Sequence, residues 1–332
     1  MTIKDVAEKA GVSISTVSKA LNDTGSVAPE TRDEIIRVAD KLGYRPNLRA
    51  RSLARKRNGC VMFVASFPED AAFVNPHIFE IIRGVESALD ENGLNLMIKD
   101  CKVDSICAFT EDIVQGKSVD AIFFHASVVT KRLASLIRRL EVPHLVIGQP
   151  DFESSLCWID TNNLHSGEMA ARELLKHGYE SMMYIAGRSD DMISNHRLQG
   201  IQNELSLSGM DMGRGQVIYT ESTIYSGLTA ARKVMKLKNR PRAVICANNA
   251  IAFGFMDELR RQGMSIPEDM AVISFDIYPF SRYTEPQLTV VDGNMFSLGR
   301  EAGRLIIRVM KNPGLEIQSY STKPKLVSGA ST

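Results

Sequence analysis

A short polar face on an amphipathic segment is the first place in this sequence where side chains could do chemistry. Over residues 13–22, Val17 and Leu21 take one side of a helical period and leave Ile14, Ser15, Ser18 and Lys19 on the other. Hydroxyl and ammonium groups on an exposed helix face can pair with base edges, and the major groove of B-DNA admits a helix. The charge distribution agrees. Residues 1–57 hold twelve Lys/Arg against seven Asp/Glu, or +5, and the remainder holds 28 against 32, or −4, giving the net +1 of the chain. Arg45, Arg49, Arg51, Arg55, Lys56 and Arg57 follow one another with no acidic residue between them. Such a run suits a polyanionic partner, although a solvated linker face carries the same charge.

Other chemistries find less support. The six histidines show no H-E-x-x-H or paired metal spacing, and the five cysteines are odd in number with no C-x-x-C pair. No metal, cofactor or disulfide framework is therefore expected. G-x-G-x-x-G, G-x-x-x-x-G-K-[ST] and G-x-S-x-G are all missing, which argues against a doubly wound enzyme. The first residues lack a basic and then apolar leader, and the longest apolar run, around Cys60 to Phe67, has the length of a strand. The expectation is a cytoplasmic protein with no membrane partner.

The elements that must position the polar face are short helices. Ile3, Val6, Ala7 and Ala10 make one stripe behind a Thr2 cap, Gly11 turns the chain, and Ser13 caps the second helix. Pro29 opens a third, with Ile35, Val38, Ala39 and Leu42 on its inner stripe and Gly43 at its end. Three helices joined by tight turns fit a helix-turn-helix head; a small helical interaction module has the same pattern. Beyond Cys60, apolar runs alternate with amphipathic stretches, the form of parallel sheets covered by helices. Strands are expected at 60–66, 94–99, 120–125, 143–148, 182–186, 216–220, 243–247 and 270–275. Eight strands and a polar break at Asp160 to Asn163 imply two α/β lobes with a binding cleft between them.

With its motifs laid out, the chain resembles the lactose-repressor/galactose-repressor family of bacterial transcription regulators over essentially its whole length. The resemblance rests on Thr2-Ile3-Lys4-Asp5-Val6-Ala7 through Gly11-Val12-Ser13, then Ser15-Thr16-Val17-Ser18-Lys19-Ala20-Leu21-Asn22, and Leu42-Gly43-Tyr44-Arg45-Pro46-Asn47. Downstream, Gly187 to Gly200 with Arg197, Ala247-Asn248-Asn249, and Ile266-Pro267-Glu268-Asp269 through Ser274-Phe275-Asp276 add to it. It implies an α/β protein with a three-helix helix-turn-helix head and a two-lobed periplasmic-binding-protein-like effector domain with parallel sheets. The head spans 1–57, with a hinge helix at about 46–54, and the effector and dimerisation domain spans 58–332. The first lobe would take about 58–160 and 292–318, the second about 161–291 and 319–332.

The same resemblance assigns roles. Ile14, Ser15 and Lys19 fall at base-reading positions, and Thr2, Thr16, Ser18, Asn22 and Arg49 at phosphate contacts. Leu53 falls where the family drives a leucine between base steps in the minor groove, although a linker leucine resting on a lobe is the alternative. Lysine stands at Lys19 where most members have arginine, so a single-point donor replaces a bidentate one. Ala28 replaces the usual Ser/Thr cap, at a cost of about 1 kcal/mol. In the cleft, His77, Arg197, Asn248 and Asp276 would meet the effector, with Asn162, or Asp160 close by, in the region of the family's Asp-Asn. Arg197 and Asp276 also read as a structural ion pair and a loop cap. His77 and Ile78 stand where an aromatic pair is usual, Ser222 lies near a place where some members stack a ring, and Asn249 replaces an aspartate. Trp158 and Tyr225 are the candidate aromatic substitutes.

The partners implied are double-stranded, pseudo-palindromic operator DNA, a second copy of the chain, and a small polar effector. A carbohydrate is the first choice; a sugar acid or nucleoside offers similar groups. A solute-binding protein without DNA function has the same two lobes and lacks the basic head. No heptad repeat follows Lys325-Leu326-Val327, so the expected oligomer is a dimer. Lys19→Ala should relax preference at one base step by about 1–3 kcal/mol, whereas Arg49→Ala should weaken all DNA and reduce the salt slope by about one. Operator and random duplex titrated at several salt concentrations separate the two; equal effects on both duplexes would remove Lys19 from base reading.

Overall fold

The computed structural model describes residues 1–22, 26–44, 58–67, 76–277, 281–312, 314–315 and 319–332. The expected hinge helix, with Arg49 and Leu53, lies outside them. Two compact units are distinguished, Met1–Cys60 with Asp112–Asp120 and Val61–Glu111 with Ala121–Thr332.

In the first unit, α1 (Ile3–Ala10), α2 (Ile14–Asn22) and α3 (Pro29–Lys41) bury Val6, Ala7, Val17, Ala20, Ile35, Val38 and Ala39 in one core. Local chemistry sets their ends. The Asp5 carboxylate accepts from the Thr2 N–H at 2.7 Å, and Gly11 takes φ 64°, which a side chain would resist. Ser13 Oγ accepts from the Thr16 N–H at 3.1 Å and so caps α2. Ala28 at the start of α3 makes no side-chain cap, and Pro29 supplies the preset φ instead. In the same unit the Asp120 carboxylate accepts from the backbone N–H groups of Asn58, Gly59 and Cys60 at 2.8, 2.6 and 3.1 Å.

From Cys60 onward strands and helices alternate. They run β1 (Cys60–Ala65), α4 (His77–Asp90), β2 (Asn95–Asp100), α5 (Ile106–Gln115), β3 (Ala121–His125), α6 (Lys131–Leu140), β4 (His144–Ile147) and β5 (Trp158–Thr161). Next come α7 (Asn163–Lys176), β6 (Met182–Ala186), α8 (Met192–Leu207), β7 (Val217–Tyr219), α9 (Ile224–Met235), β8 (Ala243–Cys246), α10 (Asn249–Arg261) and β9 (Ala271–Phe275). The chain closes with β10 (Thr289–Asp292), α11 (Met295–Lys311), β11 (Ser319–Thr322) and β12 (Lys325–Val327). One sheet has the order β11-β5-β4-β3-β1-β2 and the other β12-β10-β9-β8-β6-β7. The β10–β12 pair is antiparallel, while β1–β3, β3–β4, β4–β5, β5–β11, β6–β7, β6–β8, β8–β9 and β9–β10 are parallel. Each sheet carries its own apolar core, Phe63 and Phe123 in the first, Tyr184, Phe255 and Phe275 in the second.

Two expectations need correction. Asp160 and Thr161 are not a break but the end of β5, and the chain leaves the first sheet only after them. Ser319–Thr322 pairs in parallel with β5, so these residues belong to the first sheet and not to the second lobe. β11 is largely exposed at a sheet edge, and an exposed edge strand need not carry the continuous apolar run of a strand buried on both faces.

The helices pair through glycines. Gly84 and Gly299 bring α4 and α11 together, Gly227 and Gly254 do so for α9 and α10, and Gly167 and Gly200 for α7 and α8. A Cβ on Gly167 would lie 2.0 Å from the Arg197 carbonyl oxygen, and one on Gly200 1.9 Å from that of Leu164. Backbone thus meets backbone. Beyond two of these crossings a half-exposed arginine grips a carboxylate on a largely buried glutamate side chain, Arg172 to Glu204 at 2.8 and 2.5 Å and Arg232 to Glu258 at 2.9 and 3.3 Å. Gly200→Ala must push α8 off α7, and overpacking of this kind costs about 1–3 kcal/mol. Denaturant unfolding of the second lobe should show that loss; an unchanged midpoint would mean that the helices separate freely.

Candidate functional site

On α2 the expected base-reading residues Ile14, Ser15 and Lys19 are exposed, and Thr2 is exposed at the start of α1. Thr16 and Ser18 are half-buried, and Asn22 is the last residue of α2. The hydroxyls of Ser15 and Thr16 each lie 2.8 Å from Ser13 Oγ, so the first turn holds a cluster of three hydroxyls beside Ile14.

The second unit contains a cavity of about 870 Å³. Its walls are the carboxyl ends of β3, β4, β5, β8 and β9 and the first turns of α4, α7, α8, α9 and α10, where open α/β sheets bind ligands. His77, Arg197, Asn248 and Asp276 all face it. Asn162 does not. Its side chain accepts from the His165 N–H at 2.9 Å and caps α7, while Asp160, Thr161 and Asn163 reach the lining. Of the two candidate aromatic residues, Tyr225 lines the cavity and Trp158 does not.

Arg197 holds the polar end together. Its Nη1 donates to the Ala247 carbonyl at 2.7 Å, Nε to Asn163 Oδ1 at 3.2 Å, and Nη2 to Asp276 Oδ2 at 3.3 Å. Its guanidinium carbon lies 4.2 Å from the centroid of the Phe275 ring. Both charges are buried, so the pair is a structural ion pair as well as a wall of the cavity. Asp276 sits at φ 67°, uncommon for a residue with a side chain. Asn249 meets it there, donating through Nδ2 to the carbonyls of Phe275, at 2.7 Å, and Asp276. An aspartate carboxylate has no proton to give those two oxygens; the amide does.

Across the cavity, burial pushes the His125 imidazole down to about 4, so it is neutral near pH 7. Its Nδ1 accepts from the Ser127 N–H at 3.2 Å, which places the ring proton on Nε2 and makes that atom a donor. Asp160 accepts from the N–H groups of Gln149 and Thr161 at 3.1 and 2.7 Å, and burial raises its pKa. The cavity therefore mixes fixed donors and acceptors with broad aliphatic walls from Ile78, Ile81, Ile147, Ile193 and Leu298.

Comparison with known proteins decides the family. The bacterial regulatory proteins of the lacI family match residues 2–47, and a periplasmic binding protein-like domain matches residues 171–332. The HTH-type transcriptional regulator CelR of Thermobifida fusca is 29% identical over 308 residues, 92% of this chain and 91% of its own. The chain belongs to the lacI family of bacterial regulatory proteins. A solved complex of the transcriptional regulator CelR with cellobiose is 26% identical, covers 100% of both chains and has a TM-score of 0.73. The lac repressor dimer bound to operator and the anti-inducer ONPF shares the fold at a TM-score of 0.82, with 20% identity over 100% of this chain and 99% of its own.

As a lacI-family regulator the chain is a DNA-binding transcription factor and not an enzyme. Among the described residues of this regulator no helix is long and apolar enough to cross a membrane, and no three His, Cys, Asp or Glu side chains gather as a metal site. Sequence reasoning missed His125 and Asn163 as cavity residues. Their one signal was position, a polar residue closing an apolar strand and another opening a helix. Asn249→Ala should strand two buried carbonyls in the regulator's second lobe at about 1–3 kcal/mol. Calorimetric unfolding should show a Tm lower by several degrees; an unaltered Tm would mean that Asp276 keeps its conformation unaided.

Proposed function

We propose that this regulator is a cytoplasmic repressor that grips a pseudo-palindromic operator as a homodimer and loosens when a carbohydrate or related hydroxyl-rich metabolite enters the cavity. The observation that carries the effector reading is the set of converging donors and acceptors, Arg197, Asp276, Asn248 and His125, inside a ligand-sized cavity. The fold shared with a cellobiose-bound regulator makes a sugar the first candidate. Ile14, Ser15 and Lys19 would read bases, Thr2, Thr16, Ser18, Asn22 and Arg49 would hold phosphates, and Leu53 would wedge the minor groove. Exposed Met97 and Ile98 on the edge strand β2 support the homodimer, because an open apolar edge is a liability unless a second copy covers it.

Arg197→Lys tests the effector site, because it keeps the charge and gives up the planar fork. Losing a charge-assisted hydrogen bond of about 1.5–3 kcal/mol should weaken the effector response of operator binding at least tenfold. Affinity for operator without effector should stay within about threefold, since effector binding and DNA binding are separate equilibria joined only by coupling. Candidate sugars titrated into the protein–operator complex provide the measurement. A full response by the variant would reject the site.

A further inference from the structure

The cavity's charges and its apolar rim narrow the effector further. Asp160, Asp191 and Asp276 bring three carboxylates to the lining, and Arg197 brings one guanidinium. That guanidinium donates to Asp276 and its field also reaches Asp160, so one guanidinium serves both, while the Asp191 carboxylate accepts from the N–H groups of Ile193 and Ser194 and caps α8. Among the aspartates and the arginine of the lining, two carboxylates still stand against one guanidinium with Asp160 protonated, the direction in which burial drives it. His125 supplies no charge, since burial holds it neutral, and His77 lines the cavity from the first lobe. A carboxylate or phosphate entering this space meets like charge in a partly desolvated setting, where screening is weak.

The rim is of the opposite character. Ile193 and Ile224 are 43% and 40% exposed, and Tyr225 is 72% exposed, all three on the first turns of α8 and α9 and all lining the cavity. Ile78 and Ile81 line it from the first lobe. Exposed aliphatic and aromatic groups gathered at a cavity mark a place that apolar surface covers on binding. A volume of about 870 Å³ leaves room for more than one ring.

We infer that the effector is uncharged and two-faced, a hydroxyl-bearing ring at the Arg197 end joined to an apolar or aromatic group beside Tyr225, and that anionic relatives of it are excluded. The inference rests on the effector site proposed above and goes beyond it by fixing charge and shape. Two kinds of molecule have this chemistry, a glycoside with an apolar aglycone and a nucleoside.

The full-length protein titrated calorimetrically against matched pairs separates them. The glycoside pairs are phenyl β-D-glucoside and phenyl β-D-galactoside with their 6-carboxylate counterparts, and the nucleoside pair is adenosine with its 5′-monophosphate. The neutral member of one pair should bind, and its anionic counterpart should bind at least tenfold more weakly. Asp191→Asn, which keeps an oxygen to cap α8, should narrow that gap. Tyr225→Ala should weaken the neutral ligand at least fivefold and leave the parent sugar without its apolar group unaffected. Equal binding of neutral and anionic partners would overturn the charge argument. An unchanged affinity in Tyr225→Ala would overturn the placement of the apolar group. Failure of every neutral member to bind would instead sink the underlying reading of the cavity as a site for hydroxylated rings.

Discussion

The buried guanidinium of Arg197 is the constraint from which the second lobe's binding face follows. A charge taken out of water must be met on every side or it destabilises the fold. Here it is met by Asn163 from the start of α7, the Ala247 carbonyl from the end of β8, and Asp276 from the end of β9, with the Phe275 ring against it. Satisfying one side chain thus registers three element ends. The backbone of Arg197 is placed just as tightly, because Gly167 lets its carbonyl approach α7 closer than any Cβ would allow. Remove the glycine and the guanidinium moves with the helix that carries it.

Registration within the lobe contrasts with the connections between the sheets, which are short. The chain passes from one sheet to the other beyond Thr161, beyond Asp292 and beyond Thr322, and small polar groups join these crossings. Thr161 Oγ1 donates to the Gly293 carbonyl at 3.3 Å and lies 3.3 Å from Thr322 Oγ1, and the Asn162 N–H donates to the Thr322 carbonyl at 3.0 Å. Short connections with small polar side chains suit hinges, which absorb backbone rotation while the packed lobes move as bodies. The cavity lies between parts that such a rotation would bring together.

How far all this was legible in the residues depends on the physical signal each element leaves. The three head helices were readable because Val6, Val17, Ile35 and their neighbours repeat at helical spacing and the caps stand where caps belong. Central strands such as Met182–Ala186 were readable as unbroken apolar runs, since both faces are covered. β11, Ser-Tyr-Ser-Thr, was not, because an exposed edge strand needs no apolar character. In the cleft, Arg197 and Asp276 were legible, the choice between Asn162 and Asp160 was left open, and Asn163 was missed. The reason is local: where a strand runs into a helix, one residue caps and its neighbours turn inward, and the residue types Asp-Thr-Asn-Asn do not say which. Buried partners such as Asn249 leave no periodic signal either, because what they satisfy is a carbonyl distant in sequence.

The cavity lining also divides affinity from regulation. Arg197, Asp276, Asn248 and Asn163 belong to the second lobe, so contacts a ligand makes with them are the same whatever the angle between the sheets. Such contacts raise affinity in every arrangement and shift none, since a ligand moves an equilibrium only by its difference in affinity for the two states. His77, Ile78, Ile81, His125 and Asp160 belong to the first lobe. Only a ligand that also reaches these residues gains or loses contacts when the lobes rotate. In the proposed mechanism the polar network around Arg197 therefore sets how tightly an effector is held, and the first-lobe wall sets whether holding it changes the grip on DNA.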